Sequence, residues 1–185
     1  MGANETKGFP NHPTPLQAVP VFCYLQELGI PYEIHHHQAV NTAEEGDREW
    51  FGIDAVHSKN LFLRNQKGDR HYLLVVLHTK RVDLRAVANQ IGDGKLSFAS
   101  PARLMEHLGV TPGSVSPFGL INDLHQHVRV FVDRDLAAAA RVSFHPNINT
   151  MTLVVSRSDF ERFLDRRGNP VRYVTVENAA ISPSP

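Results

Sequence analysis

The longest apolar run in the sequence, Tyr72 to Leu77, lies two residues after a turn-like tetrapeptide, Gln66-Lys67-Gly68-Asp69. Another segment with apolar residues, from Asn60 to Asn65, precedes the tetrapeptide. Two such segments joined by a short turn that contains glycine are typical of a β-hairpin. Because the second arm is apolar throughout, it is predicted to be a central, buried strand.

Further helices and strands are predicted on both sides of this hairpin. Thr14 begins a capping-box pattern, while Pro20 implies a kink in the first helix or a later start. Ser158 and Glu161 form the capping box of the last helix. Helices are predicted at 15–28, 84–91, 101–108 and after Ser158, and strands at 30–35, 128–132, 151–155 and 171–176. Their irregular order predicts an α+β fold around a mixed or antiparallel sheet.

The chain has 185 residues, of which 42% are hydrophobic. This size suits one compact domain, predicted at 14–177, with flexible termini at 1–13 and 178–185. No apolar stretch approaches the roughly 20 residues of a membrane helix. Because Cys23 is the only cysteine, the chain cannot form an internal disulfide. Cys23 lies in an apolar stretch that predicts a buried helix. These features favour a cytoplasmic protein with no membrane partner.

The formal net charge is zero, so any contact with nucleic acid must depend on a local basic patch. The chain has 11 histidines, three of them consecutive at 35–37. Neighbouring side chains on a strand point to opposite faces, so this triplet is interpreted as a polar strand end and not as a metal site. Neither a metal nor another cofactor is expected.

Three short segments carry residues suited to chemistry. They are His57 to Leu63, which contains Lys59, the loop Gly113 to Pro117, and Phe144 to Asn147, which contains His145. Each has a structural interpretation as well: a solvated strand end, a tight connection, and a structural histidine. The functional interpretation is that a lysine meets a phosphate and that glycine lets a ligand approach the backbone.

Taken in order, Lys59-Asn60-Leu61-Phe62-Leu63, the Gly113-x-x-x-Pro117 loop and His145-Pro146-Asn147 resemble the superfamily of YbaK and the prolyl-tRNA synthetase editing domain. The resemblance extends from Thr14 to Val176. Residues 28–33 and the Leu-Gly-Val-Thr-Pro-Gly run at 108–113 are similar to the free-standing, alanine-specific branch called ProXp-ala or PrdX.

The resemblance implies hydrolysis of the ester that joins a wrongly attached alanine to tRNA(Pro). Lys59 is expected to hold the terminal nucleotide, Gly113 to line the aminoacyl pocket through its backbone, and His145 to position substrate or water. The expected substrate-binding residues are Thr42, Asn60, Ser114, Pro117 and Asn147. One departure lies beside Thr42, because Gln38 stands where relatives often have proline.

The expected partners are the acceptor end of tRNA(Pro) and prolyl-tRNA synthetase. Candidate basic contacts to the tRNA are Lys80, Arg81 and Arg85, with Lys95 and Arg103 as further candidates. Two alternatives stay open: a deacylase for cysteinyl-tRNA or another small aminoacyl-tRNA, and a module that binds aminoacyl-tRNA without turnover. Rates on separately charged tRNAs distinguish them.

Overall fold

The computed structural model describes residues 14–39 and 48–178. It has an α+β fold, as the sequence predicts, with helices packed around an eight-stranded mixed sheet. The helices are α1 (Val19–Glu27), α2 (Leu84–Ile91), α3 (Pro101–Leu108), a 3-10 helix (Pro117–Asn122), α4 (Arg134–Ala137) and α5 (Arg157–Arg167). The strands are β1 (Glu33–His36), β2 (Val56–Arg64), β3 (His71–Leu77), β4 (Ser97–Phe98), β5 (Val128–Asp133), β6 (Arg141–Phe144), β7 (Met151–Ser156) and β8 (Val171–Val174).

Strand β2 has an interrupted edge. The strand order is β1-β7-β6-β2-β3-β5-β8, with β4 paired to β2 outside this path. One edge of β2 pairs with β3 from Ser58 to Arg64. On the other edge, only Val56 and His57 pair with β6, and only Leu63 and Arg64 pair with β4. Residues 58–61 therefore have a strand partner on the β3 side alone, which leaves a gap for a loop to approach the sheet.

The hairpin of β2 and β3 is at the centre of the molecule, as predicted. The first six residues of β3 are all buried. Leu73 and Val75 belong to the larger core cluster, which includes residues of α1, α3 and α5. Leu74 and Val76 belong to a second cluster with residues of α2 and β5. Both faces of β3 are thus covered, which explains its uninterrupted apolar sequence.

Several local predictions are confirmed at residue level. Helix α3 is capped by Ser100, whose side chain accepts from the backbone of Arg103, and it ends at Gly109 with φ 64°. Helix α2 ends in the same way at Gly92, with φ 76°. A left-handed residue after the last turn suits glycine because it has no Cβ to clash.

Other local predictions are wrong or incomplete. Helix α1 begins at Val19 and not at residue 15, because Pro20 occupies its first turn, where proline is tolerated. Ser156 caps α5 in place of Ser158, since its Oγ accepts from the backbone N–H of Asp159. Cys23 is exposed and not buried. Within the described ranges, no helix is long and apolar enough to cross a membrane.

Candidate functional site

Lys59 lies in the stretch of β2 that pairs with β3 on one edge and has no strand partner on the other. Its Nζ donates a hydrogen bond to the backbone carbonyl of Lys80. The side chain is half-buried, and burial lowers the pKa of the ammonium, with a further lowering by the nearby charge of Arg81. Among the residues that the structure describes, no carboxylate forms an ion pair with Lys59. No described residue therefore compensates its positive charge, which is suited to an anionic ligand.

Lys80 has a different environment from the one the sequence suggested. It is 8% exposed, and its Nζ lies 2.7 Å from Asp133 Oδ2 and 2.6 Å from Asp135 Oδ2. Its charge is already paired inside the protein, which argues against a contact with tRNA phosphate. The contrast with Lys59 is clear, because the two lysines meet at the Lys80 carbonyl, but of the two only Lys80 has a carboxylate partner among residues 14–39 and 48–178.

The other basic candidates differ in availability. The side chains of Arg81, Arg85 and Lys95 are exposed. Arg103 is committed within the fold, because its Nη1 donates to the carbonyl of Gly68 at 2.7 Å and lies 2.7 Å from His71 Nε2. Arg81 and Arg85 therefore stay available as contacts to the tRNA.

The Gly113–Pro117 loop connects α3 to the 3-10 helix and reaches the gap beside β2. Asn60 Nδ2 donates to the carbonyl of Val115 at 3.0 Å. Gly113 has φ 87°, a left-handed conformation that favours glycine. Ser114 is buried, and Pro117 is buried at the start of the 3-10 helix. Asn60, Ser114 and Pro117 thus hold the loop, while Gly113 is exposed.

The loop between β6 and β7 carries His145 and faces the Gly113 loop. A Cβ on Gly113 would lie 3.5 Å from Asn149 Nδ2. His145 Nδ1 lies 2.7 Å from the carbonyl of Met151. A carbonyl only accepts, so Nδ1 carries the proton, and neutral His145 has an unprotonated Nε2. Burial lowers the pKa of His145. The hydrogen bond to Met151 raises this pKa in part, and the neighbouring His37 lowers it further.

Asn147 lies in the same loop with a left-handed backbone, φ 62°. It is 7% exposed, and its Oδ1 is buried without a hydrogen-bond partner among the described residues. An amide oxygen of this kind requires a partner, since leaving a buried acceptor unpaired costs about 1–3 kcal/mol. Asn147 is therefore suited to accept a hydrogen bond from a bound ligand.

An aromatic cluster, which the sequence did not indicate, lies beside His145. Its members are Trp50, His37, His57, His78 and His145. Trp50 stacks on His57 with centroids 4.7 Å apart and an interplanar angle of 9°. The Trp50 indole N–H donates to Thr152 Oγ1 at 3.2 Å. The one available signal was Thr152 itself, a polar residue between apolar neighbours of a predicted strand.

The structure thus brings together the three segments that the sequence singled out. The contacts within or immediately beside these segments are Asn60 to Val115, the approach of Gly113 to Asn149, and a 2.6 Å contact between His57 Nδ1 and Ser143 Oγ. The predicted pocket residue Thr42 lies outside the described residues. Within the described part of the chain, the site combines a lysine without a carboxylate partner, a histidine, an amide oxygen without a hydrogen-bond donor, and aromatic faces.

The chain is similar to known proteins over most of its length. The model of the family Aminoacyl-tRNA editing domain matches residues 37–163. The Prolyl-tRNA editing protein ProX of Acetoanaerobium sticklandii is 40% identical over 157 residues, which cover 84% of this chain and 95% of that protein. The Prolyl-tRNA synthetase associated domain-containing protein 1 of Bos taurus is 34% identical over 149 residues, covering 78% and 86% of the two chains.

A solved structure also has this fold. A protein whose name gives it a proposed role as a trans-editing enzyme for prolyl tRNA synthetase matches with a TM-score of 0.69. The match covers 90% of this chain and 100% of that chain at 20% identity. At this identity the likeness shows the fold.

Proposed function

The chain belongs to the aminoacyl-tRNA editing domain family, and from this membership we propose that it removes alanine wrongly attached to tRNA(Pro). It is an aminoacyl-tRNA deacylase, an enzyme that hydrolyses the ester between an amino acid and the terminal ribose. Beyond this activity, we propose the identity of the substrate, the residues that act on it, and the tRNA(Pro) acceptor end as partner.

The observation that carries the proposal is the unpaired ammonium of Lys59. It lies between the Lys80 carbonyl and the charge of Arg81, and none of the described carboxylates pairs with it. A phosphate of the terminal nucleotide would supply the missing negative charge. Arg81 and Arg85 are both exposed, and they are proposed to contact phosphates further along the acceptor end.

The reaction requires that water and the ester be held in the right orientation, and it does not require a nucleophilic side chain. Water attacks the ester carbonyl, the new C–O bond forms, the bond to the ribose oxygen breaks, and that oxygen takes up a proton. His145 has an unprotonated Nε2 that can accept a hydrogen bond from the attacking water or the ribose hydroxyl. Asn147 Oδ1 is available to the ammonium of the amino acid, and the Gly113 backbone borders the aminoacyl group.

The terminal adenine is proposed to stack on the aromatic cluster. Trp50, His57 and His78 are all half-buried. Base stacking on aromatic side chains contributes about 1–3 kcal/mol per base and tolerates any base sequence. This contact would place the ribose beside Lys59 and His145.

Selectivity for alanine over proline is proposed to be steric. A pocket between the Gly113 and His145 loops that admits a methyl group excludes the larger pyrrolidine ring, as in the second sieve of an editing enzyme. Glycine is harder to reject, because a missing methyl group changes binding by only about 1–3 kcal/mol. Contacts to the tRNA must supply the remaining specificity.

The experiment that tests the proposal measures single-turnover deacylation of alanyl-, cysteinyl- and prolyl-tRNA(Pro) by the wild-type protein. We expect the alanyl ester to be lost fastest and the prolyl ester to persist. Faster loss of cysteine would assign the protein to cysteinyl-tRNA. Persistence of every ester despite saturable tRNA binding would make it a binding module.

The pH dependence of the reaction should reflect the low pKa of His145. The neutral imidazole is the active form, and burial lowers its pKa below the ordinary 6.5, so the neutral form persists to lower pH than in an exposed histidine. The single-turnover rate, corrected for spontaneous hydrolysis, should therefore fall with decreasing pH only at a lower pH than an ordinary histidine would impose. His145→Ala should be slower and should lack the fall. A fall that persists in this variant would belong to another group.

Docking on prolyl-tRNA synthetase and a cytoplasmic location remain predictions. Co-sedimentation of the protein with the synthetase, with and without tRNA(Pro), measures the first of these.

A further inference from the structure

Two histidines and an aspartate lie close together at the base of the segment that carries the Gly113 loop. His107 is in the last turn of α3, Asp123 follows the 3-10 helix, and His127 precedes β5. One ligand atom from each of these three side chains lies within 4.8 Å of the others. It is the one group of this kind among residues 14–39 and 48–178. We propose that these residues bind a Zn²⁺ ion.

The donor set suits zinc. Two imidazole nitrogens and one carboxylate oxygen are ordinary zinc ligands, and water completes a tetrahedral site. Ligand bonds of about 2.0–2.1 Å place tetrahedral donors roughly 3.3 Å apart. The separations of up to 4.8 Å must therefore shrink. Because His127 is exposed, its ring can turn toward Asp123 without disturbing the core.

Asp123 is oriented for this role by its hydrogen bonds. It is 4% exposed, and its Oδ1 accepts from the backbone N–H of His127 at 3.1 Å. Its Oδ2 accepts from the N–H of Val128 at 2.8 Å and from Asn169 Nδ2 at 2.7 Å. These donors fix both carboxylate oxygens, as outer-shell partners of metal ligands do. Oδ1 accepts a single hydrogen bond and so keeps capacity for the metal ion.

The His107 ring is also held in place. It packs against His71 with centroids 4.1 Å apart. Arg103 donates to His71 Nε2, so this nitrogen is unprotonated and the His71 ring brings no positive charge to the site. The nearby Arg103 guanidinium keeps its positive charge and disfavours a cation. Its Nη1 donates to the Gly68 carbonyl, which holds the group in place.

Zinc at this position would join the two ends of residues 108–122, which include the Gly113 loop. These ends are already in contact, since Asn122 Nδ2 donates to the Leu108 carbonyl at 2.8 Å. A Cβ on Gly109 would lie 2.6 Å from Asn122 Nδ2, which shows how closely they pack. An ion bound to His107 and Asp123 would hold the base of the loop whose tip reaches Asn60. This role does not depend on which aminoacyl ester is hydrolysed.

Zinc titration of the full chain tests this inference. Protein without a polyhistidine tag is freed of metal with a chelator and titrated with Zn²⁺ by calorimetry, and thermal unfolding is measured in parallel. We expect one ion per chain and a higher unfolding midpoint with zinc, because a ligand that binds only the folded state stabilises it. His127→Ala should weaken zinc affinity at least about tenfold and remove the shift in midpoint.

His125→Ala is the matched control, since His125 is exposed and adjacent but outside the ligand set. Its zinc affinity should change by less than about twofold. Absence of saturable binding in the wild type would overturn the inference. Unchanged affinity in His127→Ala, or an equal loss in both variants, would overturn it too.

Discussion

Replacing Lys59 with methionine is expected to lower the deacylation rate of alanyl-tRNA(Pro) by at least about 100-fold without loss of thermal stability. Methionine keeps most of the apolar stem and removes the ammonium that would meet the phosphate. Stability should survive because none of the described ion pairs is broken, and removal of a half-buried charge offsets loss of the hydrogen bond to the Lys80 carbonyl. Single-turnover kinetics and thermal unfolding of the same preparations measure the two effects.

Lys67→Met serves as the control for charge removal alone. Lys67 is exposed in the turn between β2 and β3, so its variant should keep the wild-type rate within about twofold. A folded Lys59→Met protein with undiminished activity would contradict the assigned role. A similar loss in both variants would show that overall charge matters and that the position of Lys59 does not.

Replacing Lys80 with methionine should destabilise the fold by about 3–5 kcal/mol. The change leaves Asp133, which is 0% exposed, without its counterion. Asp133 Oδ1 also accepts from the backbone of Asp135 at 3.4 Å, so the carboxylate cannot move to solvent without further loss. Urea unfolding gives the change in free energy. Adding Asp133→Asn should recover part of it, because the buried negative charge is then absent.

Arg81→Met provides the comparison at the neighbouring position. Arg81 is exposed, and its variant should change the free energy of unfolding by no more than about 0.5 kcal/mol. If Lys80→Met keeps full stability and loses affinity for tRNA, the assignment of Lys80 as a tRNA contact was right and its structural role is wrong.

These two lysines show what sequence patterns can and cannot predict. Helix ends at Gly92 and Gly109 were predictable because caps depend on a few adjacent residues. The pairing of Lys80 with Asp133 joins residues 53 positions apart, and no local pattern contains it. The short strand β6 was missed for a related reason, since its four residues become a strand only through pairing with β2 and β7.

The candidate site was predictable in its segments but not in its arrangement. Family motifs singled out Lys59, Gly113 and His145. The interrupted edge of β2, which admits the Gly113 loop at Asn60, depends on where β4 and β6 stop pairing. Trp50 joins His57 and Thr152 across the sheet, and its contacts could not be anticipated from its own neighbours.

The position of Trp50 gives the protein an internal optical probe. It is the only tryptophan in the chain, so all indole emission arises from a single fluorophore stacked on His57. Protonation of a neighbouring imidazole or stacking of a nucleobase alters the quenching of that emission. Events at the site are therefore visible in unlabelled protein, without any background from a second indole.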